Sequence, residues 1–146
     1  MSRSGLFSLC LVLLTLAVVS ANPEPSASNV PRKILEERVA AARAIYEQNL
    51  FRYRGGETIP SDLFEWSENW LEAELPLAET PADRVRILQN HLDRSRVVEK
   101  IAKAYFTTGQ GRQSDAMAAT YFRLGAEVRL FEAGATPHPE EGKRGE

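Results

Sequence analysis

Histidine, cysteine and carboxylate side chains could bind a metal or transfer protons, and in this sequence they are poorly placed to do either. His91 falls within a helical pattern and His138 in the C-terminal tail, and neither has a His, Cys or Glu at the spacing that puts two ligands on one helical face. Zinc and di-iron sites need such ligand sets. The sequence therefore predicts no metal site, and it predicts that His91 lies at the surface or boundary of a helix.

Serine and carboxylate groups also form no recognisable catalytic set. Glu65, Glu68 and Glu72 lie on one side of a helical pattern, whereas glycosidase-type chemistry needs two carboxyl groups in different environments across a cleft. The pairs Ser61-Asp62 and Ser114-Asp115 have no base within the same motif, so no catalytic triad is indicated. We interpret both pairs as helix N-caps, and we expect no catalytic residue, no cofactor and no enzyme activity.

Two tryptophans, Trp66 and Trp70, lie one helical turn apart on one face. Their indoles could form a layer of the core or a wall against which an apolar ligand stacks. We favour the core and keep the apolar ligand face as the alternative.

The charge balance limits the kinds of partner. The 146 residues include 18 Lys and Arg against 20 Asp and Glu, a net charge of -2. This balance offers no basic surface for phosphate groups, so nucleic acid is not expected as a partner. The length and the 43% hydrophobic content fit one ordinary domain.

The first 21 residues have the pattern of a secretory signal peptide. Arg3 precedes an apolar run over residues 6–19, and small residues follow up to Ala21. The run is shorter than the roughly 20 apolar residues of a membrane-spanning helix. We predict cleavage after Ala21 and an exported chain without a transmembrane segment. Cleavage would remove Cys10, the one cysteine, and with it any disulfide.

The elements that must position these residues are helices. Residues 22–30 and 134–146 are rich in Pro, Ser, Gly and charge, and we predict a disordered linker and a disordered tail there. Between them, apolar residues recur at helical steps in four segments. The predicted core faces are Leu35, Val39, Ala42, Tyr46 and Tyr53; Leu63, Trp66, Trp70, Ala73 and Leu77; Leu88, Leu92, Ser95 and Ala102; and Met117, Tyr121, Leu124, Val128 and Phe131.

Turn and capping residues separate these helices. Gly55 and Gly56 can end the first helix in the left-handed conformation. The third predicted helix begins with Thr80 as its N-cap, Pro81 as its first residue and Asp83 as its third. Pro76 would unwind or kink the last turn of the second helix.

A self-similarity appears at a spacing of 53 residues. Laying residues 53–78 over 106–131 needs no gap and pairs Gly56 with Gly109, together with six other identities: Ser61/Ser114, Asp62/Asp115, Leu71/Leu124, Ala73/Ala126, Glu74/Glu127 and Leu77/Leu130. Shared helical periodicity would match leucines, but it would not match the Gly, Ser and Asp of the turn. The sequence therefore predicts a duplicated helical hairpin over 31–78 and 81–133.

The repeated motif resembles the periplasmic hairpins of TolC-type outer-membrane efflux proteins, in which an aromatic residue, a glycine and a Ser/Thr-Asp pair form the tip. Here the motif reads from Tyr53 through Gly56 to Ser61-Asp62, and from Phe106 through Gly109 and Arg112 to Ser114-Asp115. The resemblance implies that these tip residues contact a protein partner in the cell envelope. The barrel strands of that family have no counterpart here.

We expect an all-α fold of two tandem antiparallel hairpins, packed as an up-down four-helix bundle or as a coiled-coil pair. The predicted function is that of an exported, non-enzymatic interaction module, associated with an envelope efflux or transport assembly and able to form a homo-oligomer. The alternative is a periplasmic four-helix bundle that binds an apolar ligand or acts as a holdase through Trp66 and Trp70.

Overall fold

The computed structural model describes residues 30–137, and within this range the chain forms four α-helices and no strand. The helices are α1 (Arg32–Arg54), α2 (Pro60–Glu74), α3 (Pro81–Thr107) and α4 (Gln113–Glu132). The all-α prediction is confirmed. The predicted signal peptide, nearly all of the linker and most of the tail lie outside the described residues, as do Cys10 and His138.

The helices pair in chain order as two hairpins. α1 packs along α2 and α3 packs along α4, while α2 also contacts both helices of the second hairpin. α1 and α4 make no more than marginal backbone contact. The arrangement is therefore an open bundle centred on α2 and α3, in which α4 does not close against α1.

The two hairpin tips have the same backbone geometry at equivalent residues, which are 53 positions apart in the sequence. Gly56 (φ 77°) and Gly109 (φ 74°) occupy the left-handed region that favours glycine. The hydrogen bonds that end the two helices also correspond, at 2.8 to 3.1 Å: Gly56 N–H to Tyr53, Glu57 N–H to Arg52, Gly109 N–H to Phe106 and Gln110 N–H to Tyr105. These are Schellman endings, and their equivalence supports the ungapped repeat.

The interpretation of the Ser-Asp pairs as N-caps is wrong. Ile59 and Arg112 hold the extended N-cap positions, and neither makes a side-chain cap. Ser61 and Ser114 are therefore the second residues of their helices, and the aspartates are the third. A carboxylate in the first turn still interacts favourably with the helix dipole, which explains Asp at both positions without a cap.

The junction between the hairpins follows the sequence prediction. The main chain tightens into a 3₁₀ turn over Leu75–Leu77, around Pro76. α3 then starts with Thr80 as its N-cap, and Thr80 and Asp83 form a reciprocal capping box.

Two apolar clusters make up the core. The one nearer the tips contains Tyr46, Tyr53, Leu63, Val98, Ala102 and Ala119, and the one nearer the hairpin junction contains Leu71, Ile87, Leu88, Leu92, Ala126 and Leu130. The predicted core faces of the first three helices are confirmed in part. The clusters include Tyr46, Tyr53, Leu63, Leu88, Leu92 and Ala102. Ala42, Ala73 and Ser95 are buried outside the clusters, and Leu35, Val39 and Leu77 are only partly buried.

The predicted core face of α4 is wrong. Met117, Tyr121, Leu124, Val128 and Phe131 are exposed at 65%, 74%, 47%, 53% and 56%. α4 instead buries Ala116, Ala119, Ala126 and Leu130. Small alanines allow close helix packing but add little to an apolar pattern, so the periodicity of the larger side chains indicated the opposite face.

Candidate functional site

The two tips lie side by side and border a cleft of about 520 Å³. Four of the predicted tip residues line it: Tyr53, Gly56, Arg112 and Asp115. Five others do not line it: Ser61, Asp62, Phe106, Gly109 and Ser114. The repeat thus identified the region of the cleft, but it did not identify which side chains face it.

Tyr105 joins the tips and was missed by the sequence analysis. Its ring lies 5.6 Å from that of Tyr53 in an edge-on arrangement, and its hydroxyl donates to the carbonyl of Arg54 at 2.8 Å. The repeat pairs Tyr53 with Phe106, which is exposed. The neighbouring aromatic residue makes the contact, because the second hairpin presents a different face to the first.

The charged groups of the cleft are largely paired within the tips. The Arg112 guanidinium donates two hydrogen bonds to the Asp115 carboxylate, both 3.0 Å, and Thr58 donates to Asp62. The described residues that line the cleft include no His, Cys, Lys or Ser. The cleft therefore offers polar groups for binding.

The prediction that His91 lies at a helix surface or boundary is wrong. Its side chain is completely buried between α2 and α3. Nδ1 lies 3.0 Å from the Ser67 hydroxyl oxygen, and Nε2 makes a poorly aligned contact of 3.3 Å with Oε1 of Glu68. The sequence pattern missed this environment because all the partners of the ring come from another helix.

The Ser67-His91-Glu68 arrangement has the residue types of a catalytic triad but not its accessibility. Ser67 is only 1% exposed, and its hydroxyl also accepts from Nε of Arg94 at 3.2 Å. The adjacent cavity has a volume of about 10 Å³, room for no more than one water molecule. A substrate cannot reach the serine, so the network holds α2 against α3.

Two carboxylates, the partly buried Glu68 of α2 and the buried Glu99 of α3, pair with basic side chains of α4. A carboxylate oxygen of Glu68 lies 2.5 Å from a guanidinium nitrogen of Arg129. The Glu99 carboxylate lies 2.7 Å from the ammonium nitrogen of Lys103 and 3.0 Å from the guanidinium of Arg123. Burial works to raise both glutamate pKa values. The hydrogen bonds and positive charges outweigh it, so both pKa values lie below the ordinary 4.5.

The two tryptophans belong to the packing between the hairpins. The Arg94 guanidinium lies 4.0 Å from the centre of the Trp70 ring, and the Tyr46 ring lies 5.7 Å from it. Trp66 packs against the cluster nearer the tips. Neither tryptophan lines the tip cleft or the small cavity, and these contacts favour the core interpretation.

The exposed apolar residues of α4 form a continuous surface. We name it the α4 stripe and define it as Met117, Tyr121, Leu124, Val128 and Phe131. They follow steps of four and three residues, the spacing of a coiled-coil seam. With about 150 to 250 Å² per large side chain, they expose on the order of 600 Å², the upper end for the largest patch of a typical monomer. The largest apolar patch of a protein is often a functional surface.

Small residues border one side of the stripe. Ser114, Ala118 and Gly125 lie along this edge by helical position, and the space beside the Gly125 Cα is open. Another helix could therefore approach α4 closely along its exposed side.

Among residues 30–137, no group of three or more His, Cys, Asp or Glu is arranged to hold a metal ion. None of the helices in that range has the length and apolarity needed to cross a membrane. Comparisons with protein-family models, curated proteins and solved structures found no match for this chain. The likeness to efflux proteins thus remains a prediction from the tip motif.

Proposed function

We propose that this chain is an exported, non-enzymatic helical module that binds another protein chain through the α4 stripe. The observation that carries the proposal is the exposure of five large apolar side chains in one seam of a helix whose opposite face is packed on its own bundle. Contact between water and this much apolar surface is unfavourable, and a partner chain that covered the stripe would remove that contact.

The outer face of α3 differs sharply from the stripe. Its exposed residues include Arg86, Asn90, Asp93 and Lys100. Val97 is exposed at 39% among these polar side chains, and no run of large apolar residues like the α4 stripe occurs on this face of α3.

Site-specific photo-crosslinking in cells tests the proposal. A photoreactive residue replaces Tyr121 in the stripe, and a matched probe replaces the exposed Asn90 of α3. We expect protein adducts from position 121 and none from position 90. Equal labelling at both positions, or no adduct at 121, would contradict binding through the stripe.

The tip cleft supports a second candidate, docking onto an envelope channel or adaptor as the efflux resemblance implies. The observation that favours it is the cleft of about 520 Å³ between two equivalent glycine turns. A photoreactive residue at Arg112 tests it, with Asn90 as the control position. Adducts with an envelope protein at position 112 are expected, and their absence would exclude docking through the tips.

A further inference from the structure

We propose that the partner of the α4 stripe is a second copy of this chain, bound so that two α4 helices pair in antiparallel orientation. This inference rests on the proposed function of the stripe and names its partner. Three features support it: the internal repeat, the distribution of apolar and charged residues, and the area of the stripe.

The repeat shows what the corresponding face of α2 does. At the spacing of 53 residues the stripe corresponds to Phe64, Glu68, Leu71, Leu75 and Ala78. All five contact the second hairpin: Phe64 stacks on Phe122 at 3.9 Å, Glu68 pairs with Arg129, and the other three belong to or pack against the cluster nearer the junction. In the first hairpin this face packs on the second hairpin. The equivalent face of the second hairpin is the α4 stripe, which has no helix packed on it among the described residues.

The composition of the faces favours pairing of stripe with stripe. The α2 face includes the charged Glu68, whereas no residue of the stripe is charged. In a head-to-tail stack the stripe would instead meet α1, which exposes the apolar Ile34 and Phe51 but also the polar Arg38, Gln48 and Arg52. Covering those groups would be costly, and such a stack does not close. A two-fold pair buries apolar surface on apolar surface and leaves no free end.

The orientation follows from charge at the border of the stripe. Exposed Glu132 ends α4 next to the stripe. A parallel pair would bring two copies of Glu132 together, whereas an antiparallel pair places each beside the N-terminal turn of the other α4. Like charges repel, and a carboxylate near a helix N-terminus is stabilised.

The area is consistent with a reversible dimer. The stripe offers on the order of 600 Å² per copy, against about 800 Å² per partner in interfaces of standard size. The small residues along its edge would add to the contact. We expect a dimer with a dissociation constant in the micromolar range.

Sedimentation of the chain from Asn22 onward, which contains all of the described bundle, tests the self-association. We expect a concentration-dependent dimer, and we expect Leu124→Glu to weaken it by about 100-fold because two charges would be buried in one seam. The matched control is Val97→Glu on the outer face of α3, since Val97 is 39% exposed and Leu124 47%. Circular dichroism confirms that both variants stay folded. The inference is overturned if the wild-type chain is monomeric or if both variants dimerise equally.

Cysteine crosslinking tests the orientation. The chain from Asn22 onward has no cysteine, because Cys10 is the only one in the sequence. We expect a short bismaleimide to link Met117→Cys to Phe131→Cys when the two variants are mixed, and to link neither efficiently to itself. Self-linking of Met117→Cys would indicate a parallel pair and overturn the proposed orientation.

The two proposals fail in different ways. Adducts at position 121 that contain only other proteins, together with a monomeric chain in sedimentation, would refute the dimer and leave the interaction function standing. Absence of any adduct and of any dimer would refute both.

Discussion

The hydroxyl of Tyr105 donates a 2.8 Å hydrogen bond to the main-chain carbonyl of Arg54, so a side chain of the second hairpin completes the helix end of the first. A carbonyl in the last turn of a helix has no partner within the helix. The bond therefore joins the tips and fixes one wall of the cleft.

Replacement of Tyr105 by phenylalanine should loosen the tips. We expect a loss of about 0.5 to 1.5 kcal/mol in the free energy of unfolding, the usual contribution of one hydrogen bond. Urea denaturation measures the loss, and amide exchange at Gly55 to Glu57 should accelerate. Phe106→Leu, at the exposed neighbouring position, serves as the control and should leave exchange there unchanged.

Two glycine-to-alanine substitutions should have opposite effects. Gly109 has φ 74° and nothing within 4 Å of an added Cβ, so Gly109→Ala should cost about 1 kcal/mol through backbone strain alone. Gly125 lies inside α4 with open space around it, so Gly125→Ala should gain about 1 kcal/mol from helix propensity. Thermal unfolding of both variants in the Leu124→Glu background, in which we expect a monomer, measures these effects. Changes of the same sign would contradict the backbone explanation.

Acid should destabilise the fold through Glu68 and Glu99. Both pKa values are lower in the folded chain than the ordinary 4.5, so their stabilising effect is complete above about pH 4.5 and is lost as the pH falls through the folded values. We expect the urea midpoint to fall steeply below pH 4.5, and less steeply in Glu99→Gln. The exposed Glu72→Gln should follow the wild-type profile.

Removal of the buried imidazole should destabilise the contact between α2 and α3. His91→Leu removes the ring nitrogen that lies 3.0 Å from the Ser67 hydroxyl and places an apolar side chain next to Glu68. A loss of about 2 to 3 kcal/mol is expected in urea denaturation. Asn90→Leu, which changes the exposed residue beside it, should cost little; an equal loss in both variants would show that the network contributes nothing.

Export makes a prediction about the mature N-terminus. We expect mass spectrometry of the chain purified from its natural source to find Asn22 as the first residue, because the apolar run and the small residues before Ala21 fit signal peptidase. A chain that retains Met1 would refute the cleavage, and with it the main argument for export.

Local features of the sequence predicted most of the architecture. Some sequence features set the backbone over only a few neighbouring residues, whatever the rest of the fold. They include Gly56, Gly109 and the Thr80-Asp83 capping box. Pro76 likewise tightens its own turn. The number of helices, the start of α3 and the glycine turns of both tips could therefore be predicted before any packing was known, whereas the starts of α2 and α4 were misassigned.

Features that depend on neighbouring helices could not be predicted in the same way. Leu71 and Leu124 are equivalent in the repeat, yet one is fully buried and the other is 47% exposed. Each helix has local turn signals, but which of its faces is covered depends on the helices that pack beside it. For the same reason His91 was misplaced and Tyr105 was missed, since their partners lie on other helices.

The amino-acid sequence alone thus predicted four helices and two equivalent glycine turns, because these depend on local backbone preference and residue type. The packing of the hairpins established which apolar face of α4 remains uncovered and which polar groups are buried. Those properties arise from contacts between helices far apart in the chain, and no local pattern specifies them.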